Sequence, residues 1–318
     1  MRYVELGRTG LMVSVMALGG GGKSRLGQSQ GATRGESVAL VGLALDRGVT
    51  LLDTAAAYGT EEIIGEAIAG RRSEVILSSK ALIVAAPGLE DLIGGDELTR
   101  RVEGSLERLG TEHIDILHLH GVRPEQYNHC IDHLLPALQR LKREGKIGFT
   151  GVTENFNTDP THDMLERATR DGSFDVVMVG FNFVNQTALT SVLPQARAKG
   201  IGTLCMFAVR GPLAWPEAAN ALVHKLIGLG EIDAADVDRN DPLGFLLDTK
   251  VAATLTDAAY RFCRDTSGID VVIAGTGKQK HLLDNLASME GPPLPDDVLQ
   301  RLTHIFRNVR TETGEPEP

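Results

Sequence analysis

Two apolar spacings take turns along this chain. Gly48-Val49-Thr50-Leu51-Leu52 is a continuous β-rich run of the kind that suits a strand buried on both faces. The segment after it, Ile63, Ile64, Ala67 and Ile68, repeats its apolar positions as a helix does. The same pair recurs from end to end. Val15 to Leu18 reads as a strand and Ser37 to Asp46 as a helix ending near Gly48; the strand to Asp53 and the helix from Ile63 follow. Val75 to Lys80 is a strand before the helical repeat of Leu98, Val102 and Leu106, which stops near Gly110. Ile114 to His120 pairs with a helix over Ile131 to Lys142, and Ile147 to Val152 with one around Met164 to Ala168. Asp175 to Phe181 precedes a helix over Leu189 to Ala198, and Ile201 to Phe207 precedes one over Ala252 to Phe262. Val271 to Ala274 and a helix from His281 to Leu286 close the series.

Eight strand-then-helix units are the signature of a parallel (β/α)8 (TIM) barrel within an α/β class. A doubly wound open sheet competes, but no Gly-x-Gly-x-x-Gly opens a helix after the first strand. One barrel domain over residues 1–318 is therefore expected. Outside the units lie residues 2 to 16, which read as a β-hairpin around Gly7-Arg8-Thr9-Gly10 and are expected to plug one barrel end. A C-terminal extra helix from Pro295 to Val309 and a long loop over 208–250 after strand seven complete the additions; loops of that length are usually lids or clamps.

Composition narrows the partners. The 318 residues are 42% hydrophobic and 23% charged, ordinary for a soluble globular chain with a large core. A net charge of −10 argues against nucleic acid or an anionic membrane as the main partner, so an anionic cofactor needs local basic groups. Cys130, Cys205 and Cys263 are odd in number and far apart, which suggests neither a disulfide framework nor a zinc site. With no signal-like start and no apolar run long enough to span a bilayer, a reducing, cytoplasmic setting is expected and no metal is invoked.

The polar residues at carboxyl ends of successive strands are Asp53 with Tyr58, Lys80 and His120. That rim is where barrels carry chemistry. Singly, each has a bland reading, as a local cap, a loop aromatic, or a snorkelling or satisfied side chain. Together they suit proton donation to a carbonyl. A phenol with a reference pKa near 10 needs a cation beside it, which Lys80 would supply and Asp53 would hold, while His120 hydrogen-bonds the substrate oxygen. His118 shares a face with His120 by strand parity, and His120 is chosen as nearer the rim. Thr60, ahead of Glu61 and Glu62, reads as a helix cap. The hydride must come from a cofactor. Gly275-Thr276-Gly277-Lys278, with Lys280, His281, Asp284 and Asn285 on the helix that follows, is a candidate phosphate turn after strand eight, although glycine-rich turns are also plain turns. Gly19 to Gly22 would let a ligand approach the backbone, and a flexible loop explains the run equally well.

With these motifs in place the chain resembles the aldo-keto reductase family over nearly its whole length. The carriers are Gly48 to Ala55 with Tyr58-Gly59, Lys80, the strand Ile114 to His120, and Gly275 to Lys278 with Asp284-Asn285-Leu286. The resemblance implies a (β/α)8 barrel that binds NADP(H), less often NAD(H), and reduces an aldehyde or ketone by hydride transfer, with Asp53, Tyr58, Lys80 and His120 as catalytic residues. It also implies departures. Where the family has Gly-Val-Ser-Asn-Phe, this chain has Gly151-Val152-Thr153-Glu154-Asn155-Phe156, so Thr153 is joined at the nicotinamide amide either by Glu154 or by Asn155. Met178 replaces a glutamine, Phe207 stands where a tyrosine stacks on the ring, and His281 replaces an arginine, leaving Lys278 as the phosphate partner. Gly121 follows His120 where a tryptophan is common, which implies a roomier, more polar pocket; Trp215 is either a pocket aromatic or purely structural. The implied partner is a small carbonyl or sugar. An NAD-dependent aldose dehydrogenase of the same fold and a nicotinamide-nucleotide-sensing module with little catalysis are the two alternatives.

Overall fold

The computed structural model describes residues 1–247 and 251–314. The last three residues of the 208–250 segment and the end of the acidic tail lie outside the described residues. Among the described residues ten strands are present: β1 (Tyr3–Glu5), β2 (Met12–Ser14), β3 (Met16–Gly19), β4 (Leu51–Asp53), β5 (Ile76–Leu82), β6 (Ile114–Val122), β7 (Ile147–Glu154), β8 (Val176–Gly180), β9 (Gly202–Met206) and β10 (Val271–Gly275). The last eight close into a parallel barrel, β10 pairing with β3 to seal it. Every barrel strand is walled by neighbours inside and by helices outside, so the apolar runs were continuous rather than alternating.

β1 and β2 form the expected antiparallel hairpin, with Val4 opposite Val13. Its tip plugs the amino-terminal end of the barrel: Leu6 and Val13, both fully buried, pack with Ala17, Leu51, Ile116 and Leu204. Full burial of a side chain such as Leu6 stabilises by about 1.5–3 kcal/mol. Gly7, at φ +51, lets the turn meet β9; a Cβ there would lie 2.3 Å from the Gly202 nitrogen.

The helices follow the sequence rhythm with three informative differences. The helix expected over Ile131 to Lys142 begins earlier and passes through a π-helical turn, Cys130–Leu134, before Leu135–Arg143. Pro136 lacks the amide proton an α-helix needs there, which widens the turn. The helix expected over Leu189 to Ala198 breaks into Ala188–Ser191 and Leu193–Lys199, with Pro194 at the restart, for the same reason. Within 208–247 the chain is not a bare loop, because Pro216–Gly228 is a helix. The extra C-terminal helix is Asp296–Ile305.

Thr60 is a correction. It precedes the helix Glu61–Ile68 but makes no side-chain cap; its hydroxyl meets that of Thr54 at 2.9 Å. The buried Glu61 carboxylate is likewise committed, accepting from Ser79 Oγ and Arg108 Nε, each at 2.7 Å. Tertiary partners have claimed the groups that the local pattern assigned to the helix end.

Candidate active site

The register of three strands assembles the site. Asp53 on β4 lies opposite Ser78 on β5, and Lys80, two residues on, lies opposite His118 on β6 with Leu82 opposite His120. Because alternate residues share a face, Ser78 and Lys80 both reach Asp53. Ser78 Oγ donates to Asp53 Oδ1 at 2.9 Å and Lys80 Nζ to Oδ2 at 2.6 Å, with a further bond to the Thr54 carbonyl at 2.8 Å. The chain leaves β4 in a short 3₁₀ turn, Ala56–Tyr58, closed by Gly59 at φ +69, which swings the Tyr58 phenol back over the rim. Its hydroxyl lies 3.3 Å from His120 Nε2, the two rings meet edge to face, and the Lys80 ammonium is 4.9 Å from the phenol centroid. The four residues named from sequence are therefore neighbours in space.

Their electrostatics follow from burial. Burial pushes the Tyr58 phenol above its usual pKa, Lys80 pulls it back, and Asp53 pushes it up again. The lysine therefore offsets desolvation rather than lowering the phenol outright, which modifies the simple expectation of a stabilised phenolate. Burial works against the Lys80 charge, yet Asp53 and then Tyr58 outweigh it and hold the ammonium above its ordinary value. Burial, with Lys80 adding to it, takes His120 down to about 3, so its imidazole is neutral at physiological pH.

Two joined clefts open beside these residues. The first, about 570 Å³, is lined by Gly21, Asp53, Tyr58, Met178, Phe207 and Gly275 among others. The second, about 690 Å³, is lined by Trp215, Lys280, His281, Asp284 and Asn285. Gly275, Thr276 and His281 belong to both. The turn after β10 leads into the helix Gln279–Glu290, whose first amides face outward from the helix end as an anion site requires. Thr276 Oγ1 accepts the Lys278 amide and shapes the turn, while Gly277 is packed on Gly27, whose Cα would lie 2.3 Å from a Cβ added at position 277. His281 and Lys280 line the clefts and Lys278 lines neither. Trp215 stands on the second cleft, 68% exposed, and not beside Tyr58.

Thr153, Glu154 and Asn155, at the end of β7 and just beyond it, line neither cleft. Thr153 Oγ1 accepts the Gly121 amide at 2.7 Å. Glu154 turns outward and is fully enclosed, accepting the Gly180 amide at 2.7 Å and meeting His162 Nδ1 at 2.8 Å. The carboxylate is thus occupied away from the clefts, and the Asn155 backbone N–H donates to the Val122 carbonyl. The pair supports an aromatic wall. His162 stacks on Phe156 at 5.3 Å, Phe156 lies near-parallel to Phe207 at 6.2 Å, and the Arg210 guanidinium lies 3.6 Å over Phe207. His162 and Phe207 hold φ of +67 and +65, conformations that cost about 1–3 kcal/mol each and persist where packing over-determines them.

Sequence reasoning missed three supports. Ser78 was visible in principle by its parity with Lys80. Gly21 lies flat under the Tyr58 ring, where a Cβ would come within 2.5 Å of Cε2. Arg25, at φ +47, donates from Nε to the Tyr58 carbonyl at 2.7 Å; nothing in its local sequence marks it.

Residues 17–307 match the aldo/keto reductase family. L-galactose dehydrogenase from Arabidopsis thaliana is 31% identical over 232 residues, covering 68% of this chain and 70% of that protein. The aldo-keto reductase YhdN of Bacillus subtilis is 27% identical over an alignment covering 100% of this chain and 97% of the relative. An aldo-keto reductase from Bacillus halodurans, solved in its holo form, superposes with a TM-score of 0.72 at 21% identity over 96% of each chain. One from Klebsiella pneumoniae, solved with NADP and acetate, gives 0.69 at 22% identity over 97% of this chain and 96% of that one. The chain belongs to the aldo/keto reductase family of oxidoreductases.

Proposed function

We propose that this protein is an NADP(H)-dependent oxidoreductase that interconverts an aldehyde or ketone with its alcohol, Tyr58 being the general acid and base. The observation that carries the reading is the Tyr58 hydroxyl held beside His120 and Lys80 at the wall of the first cleft. The residues present fit a dinucleotide. Two connected clefts give an extended site, and the helix beginning at Gln279 offers free amides with Lys280 and His281 beside it. Phe207 and Met178 would hold the nicotinamide end, and Asp284, Asn285 and Trp215 the adenosine end. The NADP found in the Klebsiella pneumoniae structure supports this choice. When bound, the nicotinamide supplies the hydride for reduction or accepts it in oxidation.

In the reductive direction Tyr58 gives its O–H proton to the carbonyl oxygen as the carbon gains hydride, leaving a phenolate that the Lys80 ammonium offsets. Asp53 and the Thr54 carbonyl keep that ammonium in place. Neutral His120 hydrogen-bonds the same oxygen without competing for the proton. General acid catalysis of this kind contributes about 10²–10⁴ in rate. Tyr58→Phe is expected to lower turnover by that factor while NADPH binding, followed by nucleotide fluorescence, stays unchanged; a variant with near-normal turnover on a verified substrate would remove Tyr58 from the role.

A second reading is oxidation of an aldose with NAD. The relationship to L-galactose dehydrogenase favours it, as does Gly121 after His120, at φ +66 with open space where a Cβ would stand. Parallel titrations with NADPH and NADH separate the two: tighter NADPH binding supports carbonyl reduction, and a preference for NADH supports sugar oxidation.

A further inference from the structure

Phe207 stands at the turn that ends β9, in a left-handed conformation at φ +65, and lines the first cleft together with Arg210. A residue other than glycine holds such a conformation only where its surroundings impose it. Here the surroundings include a stretch about a hundred residues further along the chain. Asn182, just past β8 and fully buried, divides its two amide protons between the Phe207 carbonyl and the Thr313 carbonyl, each at 3.2 Å. Its Oδ1 accepts the Val184 and Asn185 amides, both at 3.0 Å, so the side chain is committed at both ends. One asparagine thus ties the backbone of Phe207 to that of Thr313.

A second tie reaches the ring. Arg210 Nη1 donates to Thr313 Oγ1 at 2.8 Å and to Asn157 Oδ1 at 2.7 Å, with the guanidinium 3.6 Å over Phe207. Thr313 is itself fixed from both sides. Asn185 donates to the Glu312 carbonyl at 2.9 Å, and the Glu312 carboxylate accepts the Thr313 and Gly314 amides and pairs with the Lys225 ammonium. Gly314, at φ +81, lies against Arg210, where a Cβ would come within 3.4 Å of the arginine Cβ. Asn182, Arg210, Glu312 and Thr313 are all buried, yet Asn182 and Thr313 line neither cleft. A buried network of this kind holds one geometry, because a displaced member leaves its partners unpaired.

We propose that residues 312–314 are a positioning element of the nicotinamide site, fixing the Phe207 backbone through Asn182 and the Phe207 ring through Arg210. The element acts on the dinucleotide only through that wall. It therefore tightens the nicotinamide half and leaves the adenosine half alone. The inference rests on the reading of the first cleft as the nicotinamide end, and its readout is binding rather than turnover.

The experiment is calorimetric titration of the full chain with NADPH and with adenosine 2′,5′-bisphosphate, the half of the cofactor that lacks nicotinamide. Phe207→Ala is expected to weaken NADPH about 2- to 10-fold, the size of one aromatic stacking contact. Thr313→Val and Asn182→Ala are expected to weaken NADPH within the same range and to leave the bisphosphate unchanged, and Thr313→Ser to restore the wild-type value. In a Phe207→Ala background Thr313→Val is expected to add nothing, because the route to the cofactor is already cut. Where Asn182→Ala does not fold, Thr313→Val decides, since it keeps the shape and loses only the hydroxyl. Three outcomes overturn the proposal and leave the reading of the site intact: equal loss of both nucleotides, a Thr313→Val protein that binds NADPH as the wild type does, or a loss undiminished without Phe207. Unchanged NADPH affinity in Phe207→Ala takes Phe207 out of the nicotinamide end, and both then fall. A Tyr58→Phe protein that keeps its turnover sinks the proposed acid and moves none of these binding constants.

Discussion

Replacing Lys80 by methionine isolates the charge at the centre of the site. The Asp53 and Lys80 side chains are 5% and 1% exposed and 2.6 Å apart. Lys80→Met keeps much of the volume and removes the ammonium, leaving the Asp53 carboxylate buried with Ser78 Oγ as its side-chain donor. Deleting one partner of a buried pair costs about 3–5 kcal/mol, chiefly because the other charge is stranded. Adding Asp53→Asn to the same protein removes that charge, so at least about 2 kcal/mol of the loss is expected to return. Urea unfolding at neutral pH, followed by far-ultraviolet circular dichroism on the single and double variants, measures both numbers. A Lys80→Met penalty below about 1 kcal/mol, the range of exposed pairs, would refute the reasoning, as would a double variant no more stable than the single. The pH dependence has a definite sign. Because the folded-state pKa of Lys80 is raised, its contribution is fully present below the unfolded value of about 10.4 and is lost as pH rises through the folded value.

The histidine of the site gives the opposite sign. His120 falls to about 3 when folded, so its contribution is present above the unfolded value of about 6.5 and is lost by roughly 1.4 kcal/mol per pH unit between there and about 3. His120→Gln is expected to flatten acid unfolding over that window, and an unchanged acid limb would contradict the neutral assignment. Gly21→Ala places a methyl group 2.5 Å from the Tyr58 ring and is expected to lower kcat by about 10²-fold, the usual effect of a displacement near 1 Å. Unfolding free energy read beside turnover separates that displacement from a general loss of fold.

How far the sequence reached is clearest at Asp53, Tyr58, Lys80 and His120. Asp53 ends β4 with Tyr58 just beyond it, Lys80 and His120 lie two residues inside the ends of β5 and β6, and the parallel barrel brings all these ends to one rim. Strand order, hairpin and rim followed from periodicity, because the 2- and 3.6-residue repeats are local properties of the chain. The altered motif Thr153-Glu154-Asn155 shows where that reading stops. Strand parity turns Glu154 outward to His162 and the Gly180 amide, a partner 26 residues away. No local pattern states that Phe207 is braced by Phe156, or that Arg25 holds the Tyr58 carbonyl.

The sequence by itself therefore determined the eight alternating units, the plug and the residues with chemistry at the rim, since each depends on spacing along the chain and on the valence of a side chain. The tertiary structure alone decided which of those groups were free to act. Register put Ser78 and Lys80 on Asp53, diverted the Thr60 hydroxyl to Thr54 and took Glu154 out of the clefts. A buried polar group must find its partner wherever packing brings one, and that choice is made between strands.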